Sequence, residues 1–262
     1  MNRALRTAAT GMLAQQMNVD LISHNLANVN TTGFKKSRAE FQDLMYQTIK
    51  ASSSAPDGTT QEATEIQIGN GTVPAAVVKS FRQGDVTPTN NPLDVAIQGD
   101  GFIQIRRADG TIAYTRDGAL KISGEGQLVT SQGYIVEPGI SFSSDTASVT
   151  IGKDGTIEAT QVGQALPSKV GQLELAKFVN PGGLNAIGGN LYVETPASGK
   201  PILGVAGNEG FGELVQGSLE ASNVDVVEEM ISMIVAQRAY EINSKTVKTV
   251  EDMLSMANNL KR

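Results

Sequence analysis

Residues 21–35 read LISHNLANVNTTGFK, and this stretch marks where the first helix of the chain ends. It begins as an apolar stripe at helical spacing and then fills with asparagine and threonine. Asparagine is a poor residue for a helix interior, because its side chain competes for backbone hydrogen bonds. We therefore predict a helix that ends between residues 28 and 32, with Gly33 as its left-handed C-terminal residue.

Heptad spacing indicates a helix at each end of the chain. In the first helix, one apolar column consists of Leu5, Met12, Val19 and Leu26, and its companion consists of Ala8, Gln15, Ile22 and Val29. In the second helix, the column consists of Val226, Met233, Tyr240, Val247 and Leu254, broadened by Met230, Ile231, Ile234, Val250 and Ala257. Each stripe is too long to remain in water, so we expect the two helices to pair.

The second helix also has a start signal. Ser222 or Asn223 can cap it, and acidic residues in the first turns favour the helix dipole. These acidic residues are Asp225, Glu228 and Glu229. No Gly or Pro interrupts residues 222–262, which predicts one continuous helix from the cap onward.

The sequence pattern predicts β-structure in the middle of the chain. Residues 102–116 (FIQIRRADGTIAYTR) and 148–160 (SVTIGKDGTIEAT) alternate apolar and polar residues on either side of an Asp-Gly pair, which is typical of β-hairpins. A third such pair is Asp117-Gly118. Residues 46–77 are rich in Ser, Thr, Gly and Ala, but IQIGNGTV (66–73) alternates, which predicts that part of this stretch is extended and paired.

The fold class that follows is α+β, with paired terminal helices and a mostly antiparallel all-β centre. We predict three parts. Residues 1–35 and 220–262 form a helical domain, residues 36–75 form an extended linking segment with hairpin character, and residues 76–219 form the β domain.

Composition excludes several classes of function. The 262 residues carry a net charge of −6, whereas general nucleic-acid binding requires a basic face. The absence of Cys excludes disulfides, thiolate metal sites and cysteine nucleophiles. The first residues lack the apolar core of an ordinary signal peptide, and no run of 18 apolar residues predicts a membrane span.

The sequence offers no catalytic constellation. His24 is the only histidine, and nothing in its segment makes a metal site or proton relay with it. The glycine-rich pieces lack the spacing of phosphate-binding loops, and the Asp-Gly turns lack that of calcium loops. We therefore predict a protein that is not an enzyme and that binds no metal or cofactor.

One polar stretch leaves two interpretations open. QRAYEINSK (237–245) places Gln237, Tyr240, Glu241 and Ser244 on one side of the second helix. Such a face beside an apolar seam is either solvated or a second interface.

Three blocks of the sequence resemble one family. The first runs from Gly11 through NLANVNTTGFKKSR (25–38). The second is TNNPLDVAIQGDGFIQI (89–105) with YTRDGAL (114–120) and GQLVTSQGYIV (126–136), and the third is residues 217–254. Together they resemble the bacterial flagellar axial proteins, the rod and hook group, and most closely their distal-rod members. His24 departs from the family pattern, which argues that it is not a required group.

The resemblance implies a structural subunit that stacks into a rigid helical tube, transmits torque from motor to hook and encloses the export channel. Its partners would be other copies of itself, proximal-rod and hook-side axial proteins, the surrounding rings, the export apparatus and a rod-cap protein, with no nucleic acid and no membrane insertion. It would reach the periplasm-spanning rod through the flagellar export apparatus, without a cleaved signal peptide.

Within this interpretation the terminal helices line the channel and residues 46–70 lie against neighbouring subunits. The residues expected at subunit interfaces are Leu5, Met12, Val19, Asn25, Leu26, Asn28, Gly33, Phe34, Asn223, Met230, Met233, Gln237, Tyr240, Glu241, Val247 and Leu254. Two alternatives remain: another axial subunit, from the proximal rod or the hook, and a secreted β-domain binding module with oligomerising helical ends. The latter would need an exposed aromatic platform, for which the candidates are Phe102, Tyr114, Tyr134 and Tyr192.

Overall fold

The computed structural model describes residues 2–50, 66–163, 166–208 and 210–259, and it confirms the α+β class. Helix α1 spans Asn2–Ala27, helix α2 spans Val226–Asn259, and strands occupy the chain between them. The strands are β1 (Ser37–Asp43), β2 (Gln47–Lys50), β3 (Ile66–Ile68), β4 (Thr72–Lys79), β5 (Val86–Pro88), β6 (Val95–Gln98), β7 (Phe102–Arg106), β8 (Ile112–Thr115), β9 (Leu120–Ile122), β10 (Leu128–Thr130), β11 (Ile135–Val136), β12 (Thr146–Ile151), β13 (Thr156–Gln161), β14 (Ser168–Gln172), β15 (Glu174–Lys177), β16 (Asn185–Gly188), β17 (Leu191–Val193), β18 (Ile202–Val205), β19 (Glu213–Gln216) and β20 (Ser218–Glu220).

The described residues fall into two compact units. The helical unit lies within Met1–Leu26, Ser37–Val78 and Val226–Arg262, and the β unit consists of Ala27–Lys36 and Lys79–Asp225. The three-part division drawn from the sequence stays a prediction, and residues 51–65 of its linking segment lie outside the described part of the chain.

The helical unit contains two short β-ladders beside the helices. Strand β1 pairs with β4, and β2 pairs with β3 in antiparallel fashion. The prediction that IQIGNGTV is partly extended and paired is therefore confirmed. Gly71, in the turn before β4, lies against α1 so closely that an added β-carbon would be 2.2 Å from Thr10 Oγ1.

The β unit is built around a nine-stranded sheet. Its strand order is β16-β17-β8-β7-β11-β10-β9, and β15 pairs with both β7 and β18. A three-stranded sheet, β12-β13-β14, and the pairs β19–β6 and β20–β5 complete it. The buried side chains are mostly Ile, Leu and Val, as the scarcity of aromatic residues requires.

Two Asp-Gly pairs form hairpin turns as predicted. Gly110 joins β7 to β8 and Gly155 joins β12 to β13, and both glycines have positive φ. Asp117-Gly118 forms no hairpin, because β8 pairs with β7 and β17 whereas β9 pairs with β10. Gly118 instead permits close chain approach, since an added β-carbon would lie 1.6 Å from Val95 O.

A second core of the β unit gathers aromatic side chains. Phe81 meets Phe102 and Tyr192 edge to face, with ring centroids 5.5 and 5.3 Å apart, and Tyr114 meets Phe178 in the same way at 4.8 Å. Such pairs contribute about 0.5–1.5 kcal/mol each beyond their buried area. Burial raises the pKa of Tyr192 to about 12.

This raised pKa predicts alkaline sensitivity. The folded-state pKa of Tyr192 exceeds the ordinary value of 10.0, so its contribution to stability is complete below pH 10 and is lost as the pH rises towards 12. The free energy of unfolding of the β unit should fall across this range, and Tyr192→Phe should reduce the fall, as measured by denaturant titration at each pH. Tyr134→Phe, in the same unit and only half-buried, serves as the control. An unchanged fall in Tyr192→Phe would contradict the assignment.

Candidate assembly interface

Helix α2 has two different faces. Its buried residues, Glu229, Ala236 and Val250, lie on one face together with the half-buried Asn243. About half a turn around the helix, a second face is apolar and exposed. Its members, Val227, Ile231, Ile234, Val235 and Ile242, are each 58–65% exposed.

This arrangement corrects part of the predicted seam. Met230, Ile231 and Ile234 were expected to broaden the face that pairs with α1, but they lie among the exposed residues of α2. Met233, Val247 and Leu254 are half-buried, and Tyr240 is 43% exposed. The inward face is centred on small and polar residues, and much of the apolar surface points out.

The inward face meets α1 through specific contacts. Asn25 of α1 is 2% exposed, and its Nδ2 donates to Glu229 Oε2 at 3.2 Å and to Ser37 O at 2.9 Å. Its Oδ1 accepts from Ser37 N at 2.9 Å. At the other end of the pair, a β-carbon added at Gly11 would lie 2.9 Å from Asn243 Nδ2. The predicted pairing of the terminal helices is therefore present within a single chain.

On α1, the predicted column remains only half-covered. Leu5, Met12, Val19 and Leu26 are half-buried, whereas their companions Ala8 and Ile22 are buried. Leu13, outside both columns, is 66% exposed. The half-covered column leaves apolar area on α1 that a second copy can cover.

Five of the predicted interface residues make contacts within the chain, and their role between subunits stays a prediction. Gly33 and Phe34 are buried in the β unit, as Asn25 is in the helical unit. Asn223 does not cap α2, which begins at Val226. Its Oδ1 accepts from Lys36 N at 2.8 Å and its Nδ2 donates to two backbone carbonyls.

Asn28 also serves the chain's own fold. It closes the turn after α1 by accepting from Thr31 Oγ1 at 3.2 Å. The side chains of Asn25, Asn28, Phe34 and Asn223 are therefore engaged within the chain, and the backbone N of Gly33 donates to Glu220 O at 2.8 Å. The proposed interface leaves these five residues out.

The polar stretch of α2 lines a cleft. Gln237, Tyr240 and Glu241 border an open cleft of about 430 Å³ whose other side consists of Gln16 and Val19 of α1. The sequence spacing predicts that Gln237, Tyr240 and Glu241 share one side of α2, and the structure confirms this. The cleft is shallow and carries amide, phenol and carboxylate groups, which suits hydrogen bonding to another protein surface.

A second exposed apolar surface lies on the strands of the helical unit. It consists of Phe41, Met45, Tyr46, Ile49, Ile66 and Ile68, and Met45 is 85% exposed. A two-stranded hairpin is only marginally stable in water, so apolar residues on it call for a covering partner. The sequence expectation concerned the whole of residues 46–70, and residues 51–65 lie outside the described part.

The residues missed by sequence reasoning are the outward apolar ones of α2. Val227, Val235 and Ile242 continue a second stripe with Ile231 and Ile234. The sequence did contain a signal for this second stripe, since α2 also has apolar residues on the side opposite the predicted column, and a helix that is apolar on two sides must be covered on both.

Among the described residues, no group of three acidic or histidine side chains is placed to hold a metal ion. No described helix is long and apolar enough to cross a membrane. The proposed aromatic platform is not exposed either, since Phe102, Tyr114 and Tyr192 are buried.

Comparison with known proteins agrees with a surface built for association. Family models match residues 5–35 (flagella basal body rod protein), 96–159 (flagellar hook protein FlgE/F/G D1 domain) and 215–260 (flagellar basal body rod FlgEFG protein C-terminal). Proteins named flagellar basal-body rod protein FlgG are 53% identical in Borreliella burgdorferi and 49% in Caulobacter vibrioides, over 100% and 99% of both chains. The protein of that name in Bacillus subtilis is 39% identical over 100% of both chains.

The chain belongs to the flagellar basal-body rod protein family. The matches cover both helices and much of the β unit, including the predicted blocks at the two ends. Among members of this family, the same order of elements is therefore expected.

Gly33 provides a test of how the chain of this rod protein leaves α1. Its φ is +66°, and an added β-carbon would lie 2.8 Å from Arg116 C. Gly33→Ala therefore combines backbone strain with a backbone clash and should lower the free energy of unfolding by about 2–4 kcal/mol. Thermal and denaturant unfolding of the two chains measure this difference.

Gly110→Ala is the matched control, because Gly110 has φ +79° but nothing within 4 Å of an added β-carbon. It should cost only about 1 kcal/mol, from strain alone. Equal losses in the two variants would contradict the role assigned to close packing at Gly33.

Proposed function

We propose that this chain is a structural subunit of the flagellar distal rod. It polymerises with copies of itself into a rigid helical tube that transmits torque from motor to hook and encloses the export channel. The observation that carries the proposal is the exposed apolar face of α2, on the side of the helix opposite the face that packs within the chain. Family membership supports it, because the relatives' names place them in the basal-body rod.

One face of α2 is buried within the chain, and the opposite, apolar face is exposed. Two different surfaces that meet between successive copies make a heterologous contact, and such a contact generates a helical filament when it does not close. The surfaces proposed for this contact are the outward face of α2, the half-covered column of α1 and the polar cleft. Burial of an Ile or Leu side chain contributes about 1.5–3 kcal/mol, from which the costs of ordering and association are subtracted.

The assignment to the distal rod rests on length and on residues 36–75. The FlgG proteins align over the full length of this chain, including this segment. A protein named flagellar hook-basal body complex protein FlhP is also related, at 32% identity. Another axial subunit is therefore the alternative, and a soluble β-domain binding module is disfavoured because its aromatic candidates are mostly buried.

The proposal needs no catalysis, cofactor or metal. His24 lies at an exposed position of α1, and the described clefts gather no catalytic pair around it. The other partners in the proposal are the neighbouring axial proteins, the surrounding rings, the rod-cap protein and the export apparatus. Its location is the rod that spans the periplasm, and residues 46–70 are proposed to contact adjacent subunits.

Charging the outward face of α2 tests the proposal directly. In the double variant Ile231→Lys with Ile234→Lys, two apolar contacts of the subunit interface are lost. The critical concentration for polymerisation should rise at least about a hundredfold, since two buried Ile residues contribute about 3 kcal/mol or more. Sedimentation and electron microscopy of negatively stained samples measure polymer formation.

The matched control is Ile231→Val with Ile234→Val, which keeps the face apolar and should polymerise almost normally. Thermal unfolding of the β unit reports whether the charged variant remains folded. Normal polymerisation of a folded charged variant would contradict the use of this face.

The helix content of the free subunit gives a second test. Only three residues of the 34-residue α2 are buried within the chain, and long helices depend on tertiary packing for most of their stability. We expect the helical circular dichroism signal of dilute subunits to be lower than that of the polymer and to rise during assembly. The charged double variant should keep the low signal at every concentration. A full helical signal in dilute wild-type subunits would show that assembly does not order the helices.

A further inference from the structure

A buried ion cluster lies inside the β unit. The side chains of Lys35 and Glu220 are 0% exposed, and Lys35 Nζ donates to Glu220 Oε1 at 2.6 Å. Arg116 Nη1 donates to Glu220 Oε2 at 3.1 Å, and the backbone N of Gly84 donates to Glu220 Oε1 at 2.9 Å. One buried carboxylate therefore holds two cations and a backbone amide.

The cluster joins three separate passages of the chain. Gly33 N donates to the backbone carbonyl of Glu220 at 2.8 Å, and Lys35 Nζ also donates to Arg82 O at 2.8 Å. Asn223 accepts from Lys36 N and donates to the carbonyls of Ser80 and Arg82. The segment after α1, the segment after β4 and the segment before α2 are thus bound to one another.

The charge balance makes Glu220 the critical member. Two cations, Lys35 and Arg116, face one anion, Glu220. Backbone carbonyls accept hydrogen bonds from the cations as well, and Gly99 O accepts from Arg116 Nη2 at 2.6 Å. Arg116 Nε is buried without a hydrogen-bond partner among the described residues. Loss of Glu220 would leave two buried cations uncompensated, whereas loss of Lys35 would leave the Arg116–Glu220 pair intact.

The cluster also joins residues that are far apart in the sequence. Lys35 and Glu220 are 185 residues apart, near the two ends of the β unit. By contrast, the β12-β13-β14 sheet pairs entirely among residues 146–172 and requires neither end. Closure of the cluster therefore needs segments that flank both helices, while local sheets do not.

We propose that the Lys35–Glu220–Arg116 cluster is a latch that closes the β unit only when the segment after α1 and the segment before α2 are both in place. Until then the passages at residues 33–37, 80–88 and 218–223 stay open, although the β12-β13-β14 sheet forms. The latch couples completion of the β unit to the chain segments that lead into both terminal helices. It does not depend on the proposed rod function and holds for any role of the chain.

Hydrogen exchange of the full-length chain, followed by mass spectrometry, tests the latch. In Glu220→Gln, exchange at the three passages should rise at least about a hundredfold, because a buried ion cluster has lost its only anion. Exchange in β12, β13 and β14 should stay at the wild-type rate. Lys35→Met is a milder variant that keeps the Arg116–Glu220 pair, and it should raise exchange in the same passages by about tenfold.

Glu213→Gln is the matched control. Glu213 lies in the same unit and forms an exposed pair with Lys153 at 3.6 Å, so its loss should leave exchange at the passages unchanged. A uniform rise across all strands in the Glu220 or Lys35 variant would show a general stabiliser and overturn the latch. Unchanged exchange at the three passages in Lys35→Met would overturn it as well.

Discussion

A helix that is apolar on two opposite faces can cover only one of them with its own chain. Helix α2 is in this situation, because Glu229, Ala236 and Val250 are buried within the chain while the Val227–Ile231–Ile234 side remains exposed. No rearrangement of side chains within the pair removes this exposure, since the two faces lie about half a turn apart. This exposed side is the surface of α2 that the proposed contact with further copies would cover.

The polar contacts between α1 and α2 determine how the two helices align, but they contribute little net stability. Asn25 bonds to Glu229 in a buried setting, and Gly11 approaches Asn243 closely. Buried polar contacts of this type contribute little net free energy when satisfied and cost much when misaligned. The helices are therefore aligned by polar groups, and the larger apolar area of α2 stays exposed in the single chain.

Much of this fold could be predicted from the sequence, because local patterns determine it. Heptad spacing located both helices, and the Asp-Gly pairs at residues 109 and 154 marked two hairpins. Gly33 has the predicted positive φ, but α1 ends at Ala27, six residues earlier, so Gly33 is not the C-terminal residue of the helix. Contacts between distant residues left no comparable signal. Nothing in the sequence around Lys35 or Glu220 indicates that they meet, since a charged residue in a strand or turn is usually exposed. The same holds for Asn223, whose position suggested a helix cap and whose amide instead binds three backbone groups in two chain segments.

The sequence analysis wrongly placed Ile231 and Ile234 on the face of α2 that packs against α1, and this error has a physical cause. Periodicity finds apolar stripes, but it does not tell which of two stripes faces inward when both are apolar. The buried face carries a small residue, Ala236, and a β-carbon added at Gly11 of α1 would lie 2.9 Å from Asn243 Nδ2, whereas the branched Ile231 and Ile234 are exposed. Branched side chains gain most from a surface that is shaped to receive them, and in the proposed assembly another copy supplies that surface. The position of small residues, rather than the strength of the apolar pattern, therefore distinguishes the face of α2 that packs within the chain from the face that stays exposed.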